Sequence, residues 1–484
     1  MSDENSPQPP ADEGHAPRPH NELEKAFRAI PRPFRWTVAT VGSALVGTAA
    51  LAALTTFWGA FQGPPQMQGE INIAVTEFSG TAPDGDSIHS DRASDLSRNL
   101  AESLASELDE LGSELRFELL RPDEAGRLTG RTAEKRTAAA QELAERVGAD
   151  IVIYGSFSDT DGVLAPEFYI EPAFLQGAEE LVGSSRLGSA ISSTGGGPLV
   201  DIELRQRLQS RTKSLALFIA GLTYLSGGNY ALAEARFSAA ISDGSWPENE
   251  GKEVMHLFRG TAAGLDNRLD EAESAYTEAL RINPGYARAY LGLAGLALVR
   301  GHKGCTPSTT DEKYLHESQD LYRAALEASD RPPSSSVVAK ARLGIARTAI
   351  CLSQAGFEHS WSEANAELEM VLGEFEAGNL NVQELAAEAQ GELGLIHLPA
   401  VGDGDTAPEF RAAAEHYRAA SDLTDVPDRK AFFLGRLGWV MDELGDEAAA
   451  REAYEKAAAS SESAGDYVSR DRYRALVDQL AAPS

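Results

Sequence analysis

The sequence predicts a membrane-crossing helix, then a compact α/β domain of order β-α-β-α-β-β, then an all-α solenoid of paired helices. Three observations predict it. Residues 37–60 carry no charged side chain. Between Ile71 and Ile170, short apolar runs alternate with stretches of helical periodicity. Beyond Asp201 the chain becomes helical and self-similar.

The first element is a single transmembrane helix over residues 36–61. At about 1.5 Å rise per residue, the stretch between Trp36 and Trp58 spans roughly 34 Å, enough for a hydrocarbon core of about 30 Å. Trp36 stands at one end and Phe57, Trp58 and Phe61 at the other, where aromatic rings favour the headgroup level. Lys25, Arg28, Arg32 and Arg35 precede the run, and no Lys or Arg follows it until Arg92. The positive-inside rule therefore puts the amino terminus in the cytoplasm and everything after residue 62 outside it. The run exceeds a normal signal-peptide core, which makes it an uncleaved signal-anchor. Residues 1–35, rich in Pro, Asp, Glu, Asn and Ser, read as a disordered cytoplasmic tail ending in a basic juxtamembrane segment. Residues 62–69, with Gly63, Pro64 and Pro65, read as a linker.

Composition bounds the partners. The chain has 484 residues, 42% of them hydrophobic and 24% charged, and a formal net charge of -31. That charge speaks against nucleic-acid binding by counterion release. It fits solubility through charge repulsion. Cys305 and Cys351 are the two cysteines, too few for a disulfide scaffold or a Cys-based zinc site. An oxidising compartment would permit one bridge between them, and two unrelated thiols fit the sequence equally well.

The α/β domain covers residues 70–195. Residues 71–78 form an apolar strand between Gly69 and Gly80, followed by turn chemistry through Pro83, Asp84, Gly85 and Asp86. Asp84 and Asp86 are a weak candidate cation pair; a solvated turn is favoured because the ligand spacing of a calcium loop is absent. Leu96, Leu100, Leu104, Leu108 and Leu111 then recur at helical spacing. A strand over 115–120 follows, then a helix with Ala139, Leu143 and Val147 on one face and Gly148 as its stop. Residues 149–157 and 163–170 alternate on either side of Asp159, Thr160, Asp161 and Gly162, which makes them a hairpin.

Two of these strands carry a resemblance. Ile-Ala-Val-Thr-Glu-Phe at 73–78 and Gly-Ala-Asp-Ile-Val-Ile-Tyr-Gly-Ser-Phe at 148–157 resemble the paired signatures of the amino-terminal domain of TolB and its relatives. The resemblance implies an envelope-facing interaction domain without catalytic residues. Independently of it, Gly155 would allow close backbone approach on a central strand, and Asp150 would cap or turn into that strand. The stretch 184–198, with Gly195, Gly196, Gly197 and Pro198, reads as the break after the domain, and 196–210 as linker and helix entry.

Residues 211–484 form the array. Gly221, Gly260, Gly344, Gly394 and Gly438, with Ala294 in an equivalent place, sit in the first helix of successive pairs. Ala233, Phe237 and Ala240, then Ala272, Tyr276, Ala279 and Pro284, then Ala450, Tyr454 and Ala457 mark the second helices. This pattern resembles tetratricopeptide repeats, about 34 residues long. Small residues let paired helices approach, and an aromatic fills the gap to the next pair. Three copies carry insertions, among them 301–310 and 399–408, and the helix over 467–480 reads as a cap.

Such arrays hold peptides or partner domains on a concave face. Leu222, Leu257, Leu291, Ile345, Leu395 and Trp439 are the candidate lining, an apolar groove for a helix or an extended segment, which the chain itself could supply. Ordinary core between stacked helices is the competing reading of the same residues. The Lys and Asn set that clamps a carboxy-terminal carboxylate is absent. No nucleophile elbow, P-loop, zinc-protease helix or dinucleotide fingerprint occurs, so no enzyme, cofactor or metal site is expected. His256, His302, His316, His359, His397 and His416 are scattered, and the many Glu and Asp on helix faces read as solvated charge. The sequence thus predicts a membrane-anchored scaffold or adaptor for protein partners outside the cytoplasm. The alternative is a sensor in which the α/β domain binds a small ligand and controls the array.

Overall fold

A computed structural model describes residues 66–481 except 83–85, 112–114, 176–180, 187, 193–198, 245, 247–250, 329–332 and 399–405. The expected tail, the expected membrane span, Asp84 and the Gly195 to Pro198 break lie outside the described residues. Among the described residues, no helix is long and apolar enough to cross a membrane.

The chain first builds a small mixed sheet. Strand β1, Ile71–Val75, pairs in parallel with β4, Phe117–Leu120, on one side and with β5, Ile151–Ser158, on the other. The strand expected over 71–78 is interrupted. After Val75 the Thr76 N–H still donates to the Ile153 carbonyl, but the Glu77 backbone bridges Arg127 instead of β5, while the Glu77 side chain accepts from the Ser94 hydroxyl with His89 Nδ1 3.0 Å away. Pairing resumes as β2, Ser79–Thr81, beside the far end of β5, and β2 carries the short antiparallel β3, Ser87–Ile88. Strand β6, Val163–Ile170, runs antiparallel along the whole of β5, and β7, Gly183–Arg186, and β8, Ile191–Ser192, pair with β6. Residues in the expected break 184–198 thus include two strands.

Alternation sorts β1 onto two faces. Ile71, Ile73 and Val75 share a core with helix α1, Asp91–Glu110, which starts on the Ser90 side chain as its N-cap. Ala74 faces the other way, to Ala140, Leu143 and Val147 of helix α3, Ala133–Val147, which ends on Gly148 at φ 70°. The four-residue helix α2, Pro122–Ala125, lies between. Asp150 ties β1 to β5, its Oδ2 accepting from Asn72 N–H at 2.8 Å. A Cβ on Gly155 would lie 3.1 Å from the Ala165 carbonyl oxygen, so this position needs its missing side chain.

Helix pairs follow: α4, Leu199–Ser226, with α5, Tyr230–Ser242; α6, Glu253–Leu265, with α7, Leu269–Ile282; α8, Ala287–Gly301, with α9, Glu312–Glu327. They continue as α10, Ser335–Gln354, with α11, Trp361–Glu376; α12, Gln383–Ile396, with α13, Ala407–Leu423; and α14, Pro427–Glu443, with α15, Glu447–Ser463. Helix α16, Tyr467–Ala481, closes the stack and has no buried residue. The close approaches explain the glycine and aromatic pattern. A Cβ on Gly260 would lie 2.7 Å from the Tyr276 ring and one on Gly292 would lie 2.6 Å from the same ring, so Tyr276 is wedged between its own pair and the next. The array is therefore a tetratricopeptide-like stack of helix pairs.

Sheet and array share one core. Helix α4 belongs to both, with Leu204 and Leu208 buried in the same cluster as Leu100 and Leu104 of α1. Further along α4, Phe218 meets Phe168 of β6 edge-on at 5.8 Å and the rings of Phe237 and Phe258 at 5.6 and 5.4 Å. Residues 66–484 accordingly form one compact unit.

Candidate interaction surface

The six residues expected to line a groove do not form an open one. Leu222 and Leu257 lie in the core shared with the sheet, and Leu291 and Ile345 in the core between α8, α9 and α10. All four are at most 5% exposed, so a partner could reach them only by parting the helices. Leu395 is partly buried against the core of α10 to α12, and Trp439 packs edge-on to Phe410 at 5.9 Å. The cause is the close approach that Gly and Ala allow, which draws neighbouring leucines into the stack.

What stands on the first helices differs along the array. In the first three pairs, side chains of α4 and α8 hold the chain's own sheet. Arg288 of α8 donates from Nη1 to Ser185 Oγ at 2.6 Å and from Nη2 to the Val182 carbonyl at 3.0 Å. Arg211 and Arg207 of α4 donate to the carbonyls of Ser189 and Ser192 at 2.9 and 2.7 Å. The strands β7 and β8 are thus pinned to α4 and α8 by three guanidinium groups. An extended segment does dock on the array, and the chain supplies it.

In the last three pairs the first helices are joined by charge. Arg347 of α10 reaches Glu388 at 2.8 Å and Glu392 at 2.7 Å on α12. Arg429 of α14 reaches back to Glu388 at 3.0 Å and Glu384 at 3.3 Å. Glu384 also accepts from the Thr424 hydroxyl at 2.7 Å and the Asp425 N–H at 3.0 Å. Burial alone would raise the Glu388 carboxyl, but Lys340, Arg347 and Arg429 together hold it down at about 2. Burial opposes the charge of Arg347, and Glu392 and Glu388 outweigh it, so its guanidinium stays charged. Glu384, Glu388 and Glu392 stand four residues apart on one helical face, a spacing visible in the sequence.

Other titratable groups sit beside this ladder. The rings of His397 and His416 stack with centroids 5.1 Å apart, and His416 Nδ1 lies 2.7 Å from Gln390 Oε1. Burial, then the His397 ring, pushes the His416 imidazole below its ordinary value. Toward the end of the array Phe432 is 51% exposed, with the Arg436 guanidinium 5.3 Å above its ring. Beside Phe432 a cleft of about 390 Å³ opens between α14, α15 and α16, lined by Asp428, Ser461, Asp466 and Tyr473 among others. The Ser461 hydroxyl is buried there without a hydrogen-bond partner.

The remaining candidates resolve simply. Asp86 pairs with Arg131, whose hydrogen bond holds its carboxyl below the usual range, so this carboxylate is satisfied by a guanidinium. Cys305 and Cys351 are joined in a disulfide, with Cα atoms 4.9 Å apart, which ties the insertion after α8 to the end of α10. His256, buried in α6, is pushed down to about 4 by burial and by Arg259.

No protein-family model matches the chain, and no curated protein sequence is similar to it. Solved structures resemble it, tetratricopeptide repeat proteins among them. PilW, described as a widely conserved type IV pilus biogenesis factor, is 19% identical over 51% of this chain and 92% of its own, with a TM-score of 0.37. A tetratricopeptide repeat protein from Parabacteroides merdae ATCC 43184 is 14% identical over 59% of this chain and 93% of its own, at 0.36. The apo form of RapI is 13% identical over 59% and 76%, at 0.38. Scores this low carry no argument, and the assignment of the array rests on its own helix pairs.

Proposed function

We propose that this chain is a single-pass membrane protein that presents a TolB-like α/β domain and a tetratricopeptide-like array outside the cytoplasm, as a scaffold for protein partners in an envelope or membrane complex. The carrying observation is the asymmetry of the array: α4 and α8 of its first three pairs hold the chain's own sheet, while exposed Phe432, with Arg436 over its ring, stands on the first helix of the sixth. An exposed aromatic beside an arginine is the composition of an interface anchor. The uncharged run over 37–60 and the cations before it support the anchor and its orientation. The Cys305–Cys351 bridge supports an oxidising compartment. For the TolB-like domain, the support is that the two motif strands, β1 and β5, lie side by side in the sheet. Anchoring confines the array to two dimensions and raises its effective concentration toward membrane-bound partners.

The test places a photo-crosslinking residue at position 432, and a control at exposed Leu265, in the full chain in its membrane, at two salt concentrations. A discrete adduct from 432 and none from 265 supports the scaffold. Equal smears from both, or adducts from neither, overturn it. A reporter active only outside the cytoplasm, fused after residue 484, checks the orientation separately.

A second reading, the ligand-responsive regulator, is favoured by the Arg288 contacts, because a change in β7 would be felt directly on α8. A ligand of the α/β domain that alters crosslinking from 432 would select it over the plain scaffold.

A further inference from the structure

Helix α8 ends at Gly301, and the His302 N–H caps it by donating to the Leu298 carbonyl at 2.7 Å. The insertion then turns through Gly304 and Cys305, at φ 91° and 49°. It closes on itself: Asp311 N–H donates to the Gly301 carbonyl at 3.1 Å, and Thr309 and Thr310 N–H both donate to the Thr306 carbonyl. The Thr306 and Thr309 hydroxyls lie 2.6 Å apart. None of these bonds uses a sulfur, so all of them remain available when the Cys305–Cys351 bridge is opened. Cys351 stands near the end of α10, 1% exposed, in a small apolar cluster with Cys305, Leu315 and Leu352. A ring nitrogen of His302 and both sulfurs lie within 4.8 Å of one another, and His302 is exposed.

We propose that the reduced chain holds a thiophilic divalent cation, Zn²⁺, between His302, Cys305 and Cys351, with a fourth position open to water on the His302 side. Two thiolates and an imidazole are a recognised zinc donor set. Tetrahedral Zn–S and Zn–N bonds need donor atoms about 3.3–3.8 Å apart, and the His302 nitrogen already lies within 4.8 Å of both sulfurs. The sulfurs must part by about 1.7 Å from bonding distance, a movement the Gly304 side of the loop can supply. The chemistry balances with a dithiol as reductant. It gives two electrons and two protons and becomes a disulfide; the Cys305–Cys351 S–S bond breaks, leaving two thiols. Zn²⁺ then displaces both thiol protons to solvent. The bridged form has no thiolate to offer, so bridge and metal exclude each other. Each clasps the same insertion to the first helix of the next pair.

The experiment uses the full chain, reduced with a phosphine, desalted without oxygen and titrated with Zn²⁺ by calorimetry and with Co²⁺ by absorption. The reduced protein is expected to take one Zn²⁺ that the double variant Cys305→Ser/Cys351→Ser does not. It should show a thiolate-to-Co²⁺ charge-transfer band, and Zn²⁺ should shield both thiols from alkylation. The bridged protein should do none of this. His302→Ala should weaken Zn²⁺ binding by tenfold or more while the charge-transfer band persists. This variant leaves the bridge intact, so unchanged melting of its oxidised form separates loss of a ligand from loss of fold. Equal Zn²⁺ uptake by the reduced protein and the double serine variant, or thiols alkylated at the same rate with and without Zn²⁺, overturns the proposal.

Discussion

Along the array, α4, α6 and α8 meet aromatic rings and the chain's own sheet, whereas α10, α12 and α14 meet one another through Arg347, Glu388 and Arg429. The helix pairs are alike in both halves, so the repeat pattern does not decide what the first helices do. Their outward residues decide it. Phe218, buried at 1%, makes the first half an extension of the α/β core. The charge ladder gives the second half its own polar seam, while the core shared by α8, α9 and α10 keeps the stack continuous.

The strongest way to break this comparison is Phe218→Ala. Loss of a buried phenylalanine costs about 3–5 kcal/mol. Because Phe218 touches Phe168, Phe237 and Phe258, the loss should appear in the sheet and in the first two helix pairs together. Hydrogen exchange is the measurement. Faster exchange in 151–170 and 204–265 with little change in 383–443 is expected, and exchange that rises in the array alone would separate the two domains after all.

Next in size is Glu388→Ala, which removes the carboxylate that Arg347 and Arg429 share and leaves them Glu392 and Glu384 as partners. Arg347 keeps 34% of its side chain in water, so the cost falls below that of a fully buried pair, at about 2–3 kcal/mol. Thermal unfolding should show it, with exchange rising in α10, α12 and α14. The same carboxylate sets a pH window. Its folded value of about 2 lies below the roughly 4.3 of an unfolded glutamate, so its contribution is present above that pH and is lost as pH falls toward 2. The difference in melting temperature between the native protein and Glu388→Gln should therefore shrink over this window. His256 and His416, both pushed below their ordinary values, contribute above the ordinary histidine range and lose that contribution as pH falls through it, before Glu388 does, and equally in both proteins. A constant difference down to pH 2 would remove Glu388 from the seam.

Much of this fold was legible in the sequence, for identifiable reasons. The main strands β1, β4, β5 and β6 and the helices α1 and α3 follow from periodicity that real burial enforces, as Leu96, Leu100, Leu104 and Leu108 illustrate, whereas the short strands β2, β3, β7 and β8 carry too few residues to show a period. The break in the first strand was not legible, because the Glu77 backbone turns to bridge Arg127, a partner that no strand pattern encodes. Glycine and aromatic spacing marked the pairs, yet Leu222 and Ile345 look the same in sequence whether they face a groove or a neighbouring helix. Glu384, Glu388 and Glu392 carried a readable four-residue spacing, and their cationic partners lie 41 and 45 residues away for Arg347 alone. Acidic residues on helix faces are usually solvated, which is why these passed as surface. The pairing of Cys305 with Cys351 depends on how an insertion folds back across a pair boundary, and local sequence holds no trace of it.

The smallest effect is the sharpest test of what pins β7 to the array. Arg288 uses two nitrogens on two acceptors, the Ser185 hydroxyl and the Val182 carbonyl, and a lysine has no planar fork to reach both. Arg288→Lys should cost about 1 kcal/mol, and Arg288→Ala about 1–2 kcal/mol, the range of hydrogen bonds to a charged group after partial exposure. Neither should move the melting temperature far. Both should raise exchange at 182–186 while 204–218 stays protected, because Leu204, Leu208 and Phe218 still hold α4 to the sheet. If 182–186 stays as protected in both variants as in the native protein, strand pairing with β6 alone retains β7. The sheet would then be held to the array by apolar contact and by Arg207 and Arg211, and the regulator reading would lose its link from β7 to α8.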